Sequence, residues 1–128
     1  MPIIRYSDVL LSYAEALNEM GQTANAIPYV TQVRTRAGLS SQSSYDQAEL
    51  RLLIEKERQV EFCFENHRWY DLKRTDRVLD IMREHGIREK AKKTFIPENA
   101  FQVNANKLIL PIPAEQVLIN EIEQNPGY

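Results

Sequence analysis

Ser7-Asp8-Val9-Leu10-Leu11-Ser12-Tyr13-Ala14-Glu15-Ala16-Leu17-Asn18-Glu19-Met20-Gly21 is the stretch that decides the fold class. Leu10, Tyr13, Ala14, Leu17 and Met20 recur at the three- and four-residue steps that line one face of a helix. Ser7 stands where an N-cap belongs, and Gly21 supplies a left-handed stop. Beyond it, Ala26, Ile27, Val30, Val33 and Ala37 form a second stripe that begins near Thr23 or Asn25 and is closed by Gly38. Pro28 falls within or just beyond the first turn of that helix, where amide groups have no helical acceptor to lose. Two helices of this length joined by a tight glycine turn predict an antiparallel hairpin.

The register of Leu10, Ala14, Leu17, Gly21, Ala26, Val30 and Val33 resembles a tetratricopeptide unit spanning about residues 7–38. A unit of that kind cannot cover its apolar surface alone and stacks on neighbours. One clear copy is visible, which points to a piece of something larger. Further along, Ser44-Tyr45-Asp46-Gln47 reads as a capping box that opens a long third helix running to about Asn66. Leu50, Leu53, Ile54, Val60 and Phe64 fall on one of its faces, and Glu57 and Glu61 fall inside the same stripe. Leu52, Phe62 and Cys63 point elsewhere, so this helix is expected to be sandwiched.

After a short helical turn at Trp69-Tyr70-Asp71-Leu72, helical spacing returns from Arg77 to His85, with Gly86 as its stop. His85, at that end, would complement the helix dipole. From Ile87 to Ala105 the pattern is weak, and Lys90, Lys92 and Lys93 read as a solvated patch. The prolines hold Leu108-Ile109-Leu110-Pro111-Ile112-Pro113 extended. A short helix from Ala114 or Glu115 to about Asn120 precedes the tail Gln124-Asn125-Pro126-Gly127-Tyr128. The expected fold is all-α: a tetratricopeptide-like hairpin, additional packed helices and an irregular, extended carboxy-terminal segment, in one domain of residues 1–128.

A chain of 128 residues can bury a self-standing core. Its net charge of -2 comes from interspersed acids and bases and leaves no electrostatic footprint for nucleic acid. No run of about 18 apolar residues is present to span a bilayer. Met1-Pro2-Ile3-Ile4-Arg5-Tyr6 carries no leader pattern, so any export signal would lie outside this sequence. Cys63 is the single cysteine, which excludes an intrachain disulfide and a cysteine zinc site. Within Val60-Glu61-Phe62-Cys63-Phe64 it reads as a small buried hydrophobe.

Chemistry has one place to reside: the ionisable cluster Glu55 to Asp71. Glu57 and Glu61 in an apolar stripe are candidates for a general acid and base with separated pKa values. The competing reading is a buried ion-pair network, since buried charges are normally paired and arginine suits that task. That reading is preferred, with Arg58, Glu61, Arg68 and Asp71 tying the third helix to the turn after it and Arg34 and Arg36 available from the second. No zinc, Walker, dinucleotide or nucleophile-elbow motif occurs, and His67 and His85 lack the Glu-x-x-His spacing of a di-iron bundle. No catalytic residue, metal ligand or cofactor is assigned. Trp69, Tyr70 and Tyr45 are the aromatics suited to stack on a sugar, with core packing the expectation for Trp69.

These blocks, in order, resemble the SusD/RagB family. Arg5 to Glu19 is similar to its R-Y-x-D-x-L-L-x-Y-A-E-A-x-N-E segment, and Val33 to Leu39 to its V-R-x-R-A-G-L. Glu57 to Phe62 and Glu65 to Arg74 resemble its E-R-x-x-E-F/L and E-x-x-R-W-x-D-L-x-R blocks. Leu110 to Pro113 and Gln124 to Tyr128 resemble its L-P-I-P and Q-N-P-G-Y. Residues 87–105 match no family motif. The resemblance implies a non-catalytic lipoprotein on the extracellular face of a Bacteroidetes outer membrane. There it would bind oligosaccharide and partner a SusC-like TonB-dependent transporter. It further implies that this chain is the carboxy-terminal part, lacking the amino-terminal region that holds the lipidated cysteine and most sugar-contacting loops; no glycan ligand residue is carried over. The alternative is a tetratricopeptide-like adaptor that binds a protein or peptide.

Overall fold

The computed structural model describes residues 4–128, so Met1, Pro2 and Ile3 of the amino-terminal stretch lie outside it. The described residues form an all-α fold of six helices and one 3₁₀ turn, with no strand among them. None of these helices is long and apolar enough to cross a membrane. The chain divides into two compact units, one ending at Asp71 and one running Leu72–Tyr128.

The first unit holds α1 (Tyr6–Glu19), α2 (Thr23–Arg36) and α3 (Gln47–Glu61). Helix α1 begins one residue earlier than Ser7 would place it, with Arg5 extended at the N-cap position and making no side-chain cap. Ser7 is instead buried within the first turn. The chain turns at Arg5 because its guanidinium is anchored to Glu61 and Glu65. Leu10, Leu11, Ala14 and Leu17 form the buried face of α1, and Ala26, Val30 and Val33 meet it from α2. Tyr13 and Met20 are exposed, contrary to expectation. At 3.6 residues per turn they lie roughly 100° round the helix from the middle of the buried face. Ala37 likewise lies outside the core.

Both glycine stops form. The Gln22 N–H bonds the Leu17 carbonyl at 2.9 Å and the Gly21 N–H bonds Asn18 at 3.0 Å, with Gly21 at φ 76°. The Leu39 and Gly38 amides repeat the pattern on Arg34 and Thr35. These are Schellman closures, and they require a left-handed residue that glycine adopts without strain.

Helix α3 opens on a capping box two residues beyond the predicted one. Asp46 accepts from the Glu49 N–H at 2.7 Å, and the Glu49 carboxylate accepts from the Asp46 N–H at 3.0 Å. Its buried positions are Leu50, Ile54, Glu57 and Arg58, with Phe62 packing at its end. Val60 and Leu52 are exposed. The helix stops at Glu61, short of Asn66, because Phe64 and Asn66 take positive φ angles of 67° and 63°. That turn carries Cys63 and Phe64 out to solvent, so Cys63 is not the buried hydrophobe expected. Helix α4 (His67–Arg74) follows, and the boundary between the units falls within it.

In the second unit α5 (Val78–Lys92) runs straight through Gly86, which is buried and not a stop. A Cβ at Gly86 would lie 2.9 Å from the Phe101 Cβ, so the glycine serves close packing. His85 is therefore mid-helix, edge-on to Phe101 at 5.0 Å between ring centres. Lys90 leaves the solvated patch to bond the Glu98 carbonyl, while Lys93 pairs with Glu89 at 2.8 Å. A 3₁₀ turn at Ala105–Leu108 is capped by Asn104, and α6 (Ala114–Asn120) lies where the sequence places it.

The tail fastens the proline segment. The Gln124 side chain accepts from the Ile112 N–H and donates to the Ile112 carbonyl, both at 2.8 Å, as a neighbouring strand would. Asn125 donates to the Leu110 carbonyl and the Tyr128 hydroxyl to that of Ile109. Prolines at 111 and 113 leave this stretch few amides of its own, so side chains supply its partners.

Candidate functional site

The Glu55 to Asp71 cluster comes together where the end of α3 meets the start of α1 and the end of α2. Arg5 is its most heavily bonded member. Its Nε and Nη2 grip the two Glu65 oxygens at 3.1 and 2.8 Å, Nη1 reaches Glu61 at 2.9 Å, and Nη2 also donates to the Glu61 carbonyl at 2.7 Å. The bond to Glu65, and after it that to Glu61, holds the Arg5 guanidinium above its ordinary pKa against the opposing effect of burial. Arg36 takes the other Glu61 oxygen at 2.5 Å, and Arg34 pairs with Glu57.

A second centre surrounds Arg58, itself buried. Its Nε donates to both Asp71 oxygens at 3.1 and 3.0 Å, and its Nη1 donates to Asp8 at 2.8 Å and to the Ser12 hydroxyl at 3.2 Å. Phe62 lies between the two centres in sequence and in contact with both, its ring centre 5.0 Å from the Arg5 guanidinium carbon and 5.1 Å from that of Arg58. His67 packs on the same ring at 4.8 Å.

Of the four residues singled out by the sequence, Arg58 and Asp71 are partners. Glu61 belongs to the Arg5 and Arg36 group, and Arg68 stands apart with its Nη1 3.1 Å from Glu55. That last contact brings the charges together without hydrogen-bond alignment at Nη1. Sequence reading missed Arg5, Asp8 and Ser12, although their spacing of three and four residues marks a polar stripe along α1.

Chemically the array is a brace. Buried charges cost several kcal/mol each to desolvate unless a close partner and further hydrogen bonds compensate. Glu57 and Glu61, the candidate acid and base, both have guanidinium partners. Among the described residues no group of three His, Cys, Asp or Glu side chains is placed to hold a metal ion.

The aromatic candidates divide. Trp69 is 40% exposed and Tyr70 70%, so Trp69 is not the core residue expected. Tyr45 packs against the core, and its hydroxyl accepts from the Gln42 N–H at 3.0 Å. A groove of about 350 Å³ runs between the start of α1 and the end of α2, with Tyr6, Ser7 and Arg5 facing Gln32, Val33 and Arg36. In the second unit Phe101 and Gly86 border a cleft of about 270 Å³.

Comparison with known proteins identifies close relatives. The SusD family model matches residues 1–128. SusD-like protein P2 of Formosa agariphila is 36% identical over 98% of this chain and 25% of its own length. SusD-like protein P25 of the same organism is 32% identical over 98% of this chain and 24% of its own. A crystal structure of a SusD-like protein from Bacteroides fragilis superposes with a TM-score of 0.77 at 28% identity, covering 98% of this chain and 25% of that one. The chain thus spans about a quarter of the length of these relatives.

Proposed function

This chain belongs to the SusD family, and from that premise we propose that it is the carboxy-terminal portion of a longer, non-catalytic oligosaccharide-binding protein. That protein is lipid-anchored at the extracellular face of an outer membrane and works beside a SusC-like TonB-dependent transporter. Within it, these 128 residues supply architecture. The observation that carries this reading is the bracing of the acidic cluster: the two glutamates best suited to acid–base chemistry are held by Arg34, Arg5 and Arg36. A carboxylate committed to a guanidinium is a poor proton donor at neutral pH, because ion pairing favours its charged form.

The test uses the polypeptide encoded by the whole reading frame that carries these residues, titrated calorimetrically against a panel of purified oligosaccharides. The expected outcome is saturable binding of at least one glycan, with the same glycan recovered intact by chromatography after prolonged incubation. Shortened products that vanish in a Glu57→Gln, Glu61→Gln variant would replace the binding role with a hydrolytic one.

A further inference from the structure

Helix α1 has a second apolar face, opposite the one that builds the core. Tyr6, Val9, Tyr13, Ala16 and Met20 follow one another at steps of three, four, three and four residues. Tyr6, Val9, Tyr13 and Met20 are 69%, 52%, 49% and 71% exposed, and Ala16 is exposed with them. Single exposed apolar residues are ordinary on a protein surface. Five in unbroken alternation are the a and d positions of a heptad seam, whose 3.5-residue period keeps one stripe facing a partner helix. The residues between them serve other ends: Leu10, Leu11, Ala14 and Leu17 are in the core, and Asp8 and Ser12 reach Arg58 of α3. Both neighbouring helices are therefore accounted for, and neither covers the seam. A shallow groove of about 460 Å³ lies along it, bordered by Ile4, Asp8, Val9, Ser12 and Tyr13.

We propose that this seam is the docking surface for an amphipathic helix contributed by the part of the longer polypeptide outside these 128 residues. The proposal rests on the reading of this chain as a portion of a longer SusD-type protein. The spacing specifies a helical occupant, since a strand would present apolar side chains at every second residue and would miss alternate knobs. The source follows from length: three quarters of each relative lies beyond the matched region. Repeat hairpins of this kind are covered on their outer faces by neighbouring units. Small Ala16 and Val9 on one row, with Tyr6, Tyr13 and Met20 on the other, leave room for large side chains of the incoming helix beside Val9 and Ala16.

Cysteine protection tests it without reference to any glycan. In a Cys63→Ser background, Val9→Cys and Ala16→Cys are placed in the seam and Ala14→Cys in the core, and maleimide labelling rates are measured in the 128-residue chain and in the full reading-frame product. The seam cysteines are expected to label quickly in the short chain and at least about tenfold more slowly in the long one, while Cys at position 14 is slow in both. Fast labelling at position 14 in the short chain would show that it is unfolded. The comparison then moves to the long product alone, where seam cysteines labelling as slowly as position 14 support the proposal. Equal, fast seam labelling in both chains overturns it. So does protection that appears in the short chain as its concentration rises, which would make the occupant a second copy, and so does a reading frame that encodes nothing beyond these residues. Loss of glycan binding with the seam still protected would discard the functional reading and leave the docking surface standing.

Discussion

The unit that ends at Asp71 and the unit that begins at Leu72 are held together by different means. In the first, ten buried apolar residues from three helices form one continuous cluster, and its charged rim is tied across helices far apart in sequence. In the second, only Leu72, Val78 and Gly86 are buried, and the carboxy-terminal half is fastened by side chains bonded to backbone, as at Gln124 and Asn125. Hydrophobic burial and desolvated ion pairs are cooperative and expensive to break, whereas exposed polar fastenings are individually worth about 0.5–1.5 kcal/mol. The two halves should therefore respond very differently to comparable substitutions.

The widest gap is expected between two arginines. Arg58→Ala in the first unit removes the guanidinium from the buried Asp71 carboxylate and from Asp8. Breaking a buried pair from one side costs roughly 3 to 5 kcal/mol. Arg83→Ala in the second removes a pair with Asp80 in which both side chains are more than two-thirds exposed, and such pairs are worth about 0–1 kcal/mol. Urea denaturation of the two variants measures both. Equal costs would mean that Arg58 is solvated in the folded protein and that the contrast between the units is not one of burial.

The same contrast explains what the sequence allowed to be read. Leu10, Ala14, Leu17, Ala26, Val30, Val33, Leu50 and Ile54 were legible because an amphipathic helix packed on one side imposes a period on its residues. The Gly21 and Gly38 stops were legible because only glycine takes that conformation freely. Ser44 misled because Ser44-Tyr45-Asp46-Gln47 and Asp46-Gln47-Ala48-Glu49 both satisfy the capping pattern, and only the latter has its glutamate at the third helical position. The end of α3 was illegible: Phe64 and Asn66 take left-handed backbone without a glycine to announce it. Glu61 and Arg68 were correctly placed in a charged cluster, but which arginine meets which carboxylate depends on α1, whose polar residues the apolar periodicity hides.

Gly86 sharpens the comparison because it was misread in an instructive way. In an open helix, glycine to alanine gains about 1 kcal/mol through helix propensity. Here the added Cβ would meet the Phe101 Cβ at 2.9 Å, an atom too near the backbone to swing aside. Forcing an extra methyl into a packed site costs roughly 1–3 kcal/mol. Gly86→Ala is expected to lose about 1 kcal/mol net, with faster amide hydrogen exchange confined to residues 86–104 and the exchange of α1 to α3 unchanged. A gain in stability would mean that Phe101 does not pack on α5. Slower or faster exchange in α1 would mean that the two units do not respond separately.

The smallest effect expected is a pH dependence that one unit shows between helices and the other only within a helix. Arg51 bonds both Glu19 oxygens, at 2.6 and 2.7 Å, joining α3 to α1. That bond holds the Glu19 carboxyl below its ordinary value. Glu89 is also lowered, first by its bond to Lys93, but that pair sits one turn apart on α5. A carboxyl whose folded pKa is depressed stabilises the fold fully above the unfolded value near 4.5, and that contribution is lost as pH falls through the lower, folded pKa. Both partners at position 19 are nearly half exposed, so solvent screening limits the worth of the pair to about 0–1 kcal/mol. Urea midpoints of the native chain and of Glu19→Gln should therefore differ slightly at pH 7 and low salt. The difference should shrink as pH drops below about 4.5 and should also fade in about 1 M salt, where the screening length is near 3 Å. Glu89→Gln should leave the exchange rates of α1 to α3 unchanged at every pH and alter only α5, because its partner lies on the same helix. A Glu19→Gln difference that grew on acidification would have the opposite sign to the one an Arg51-bound carboxylate requires.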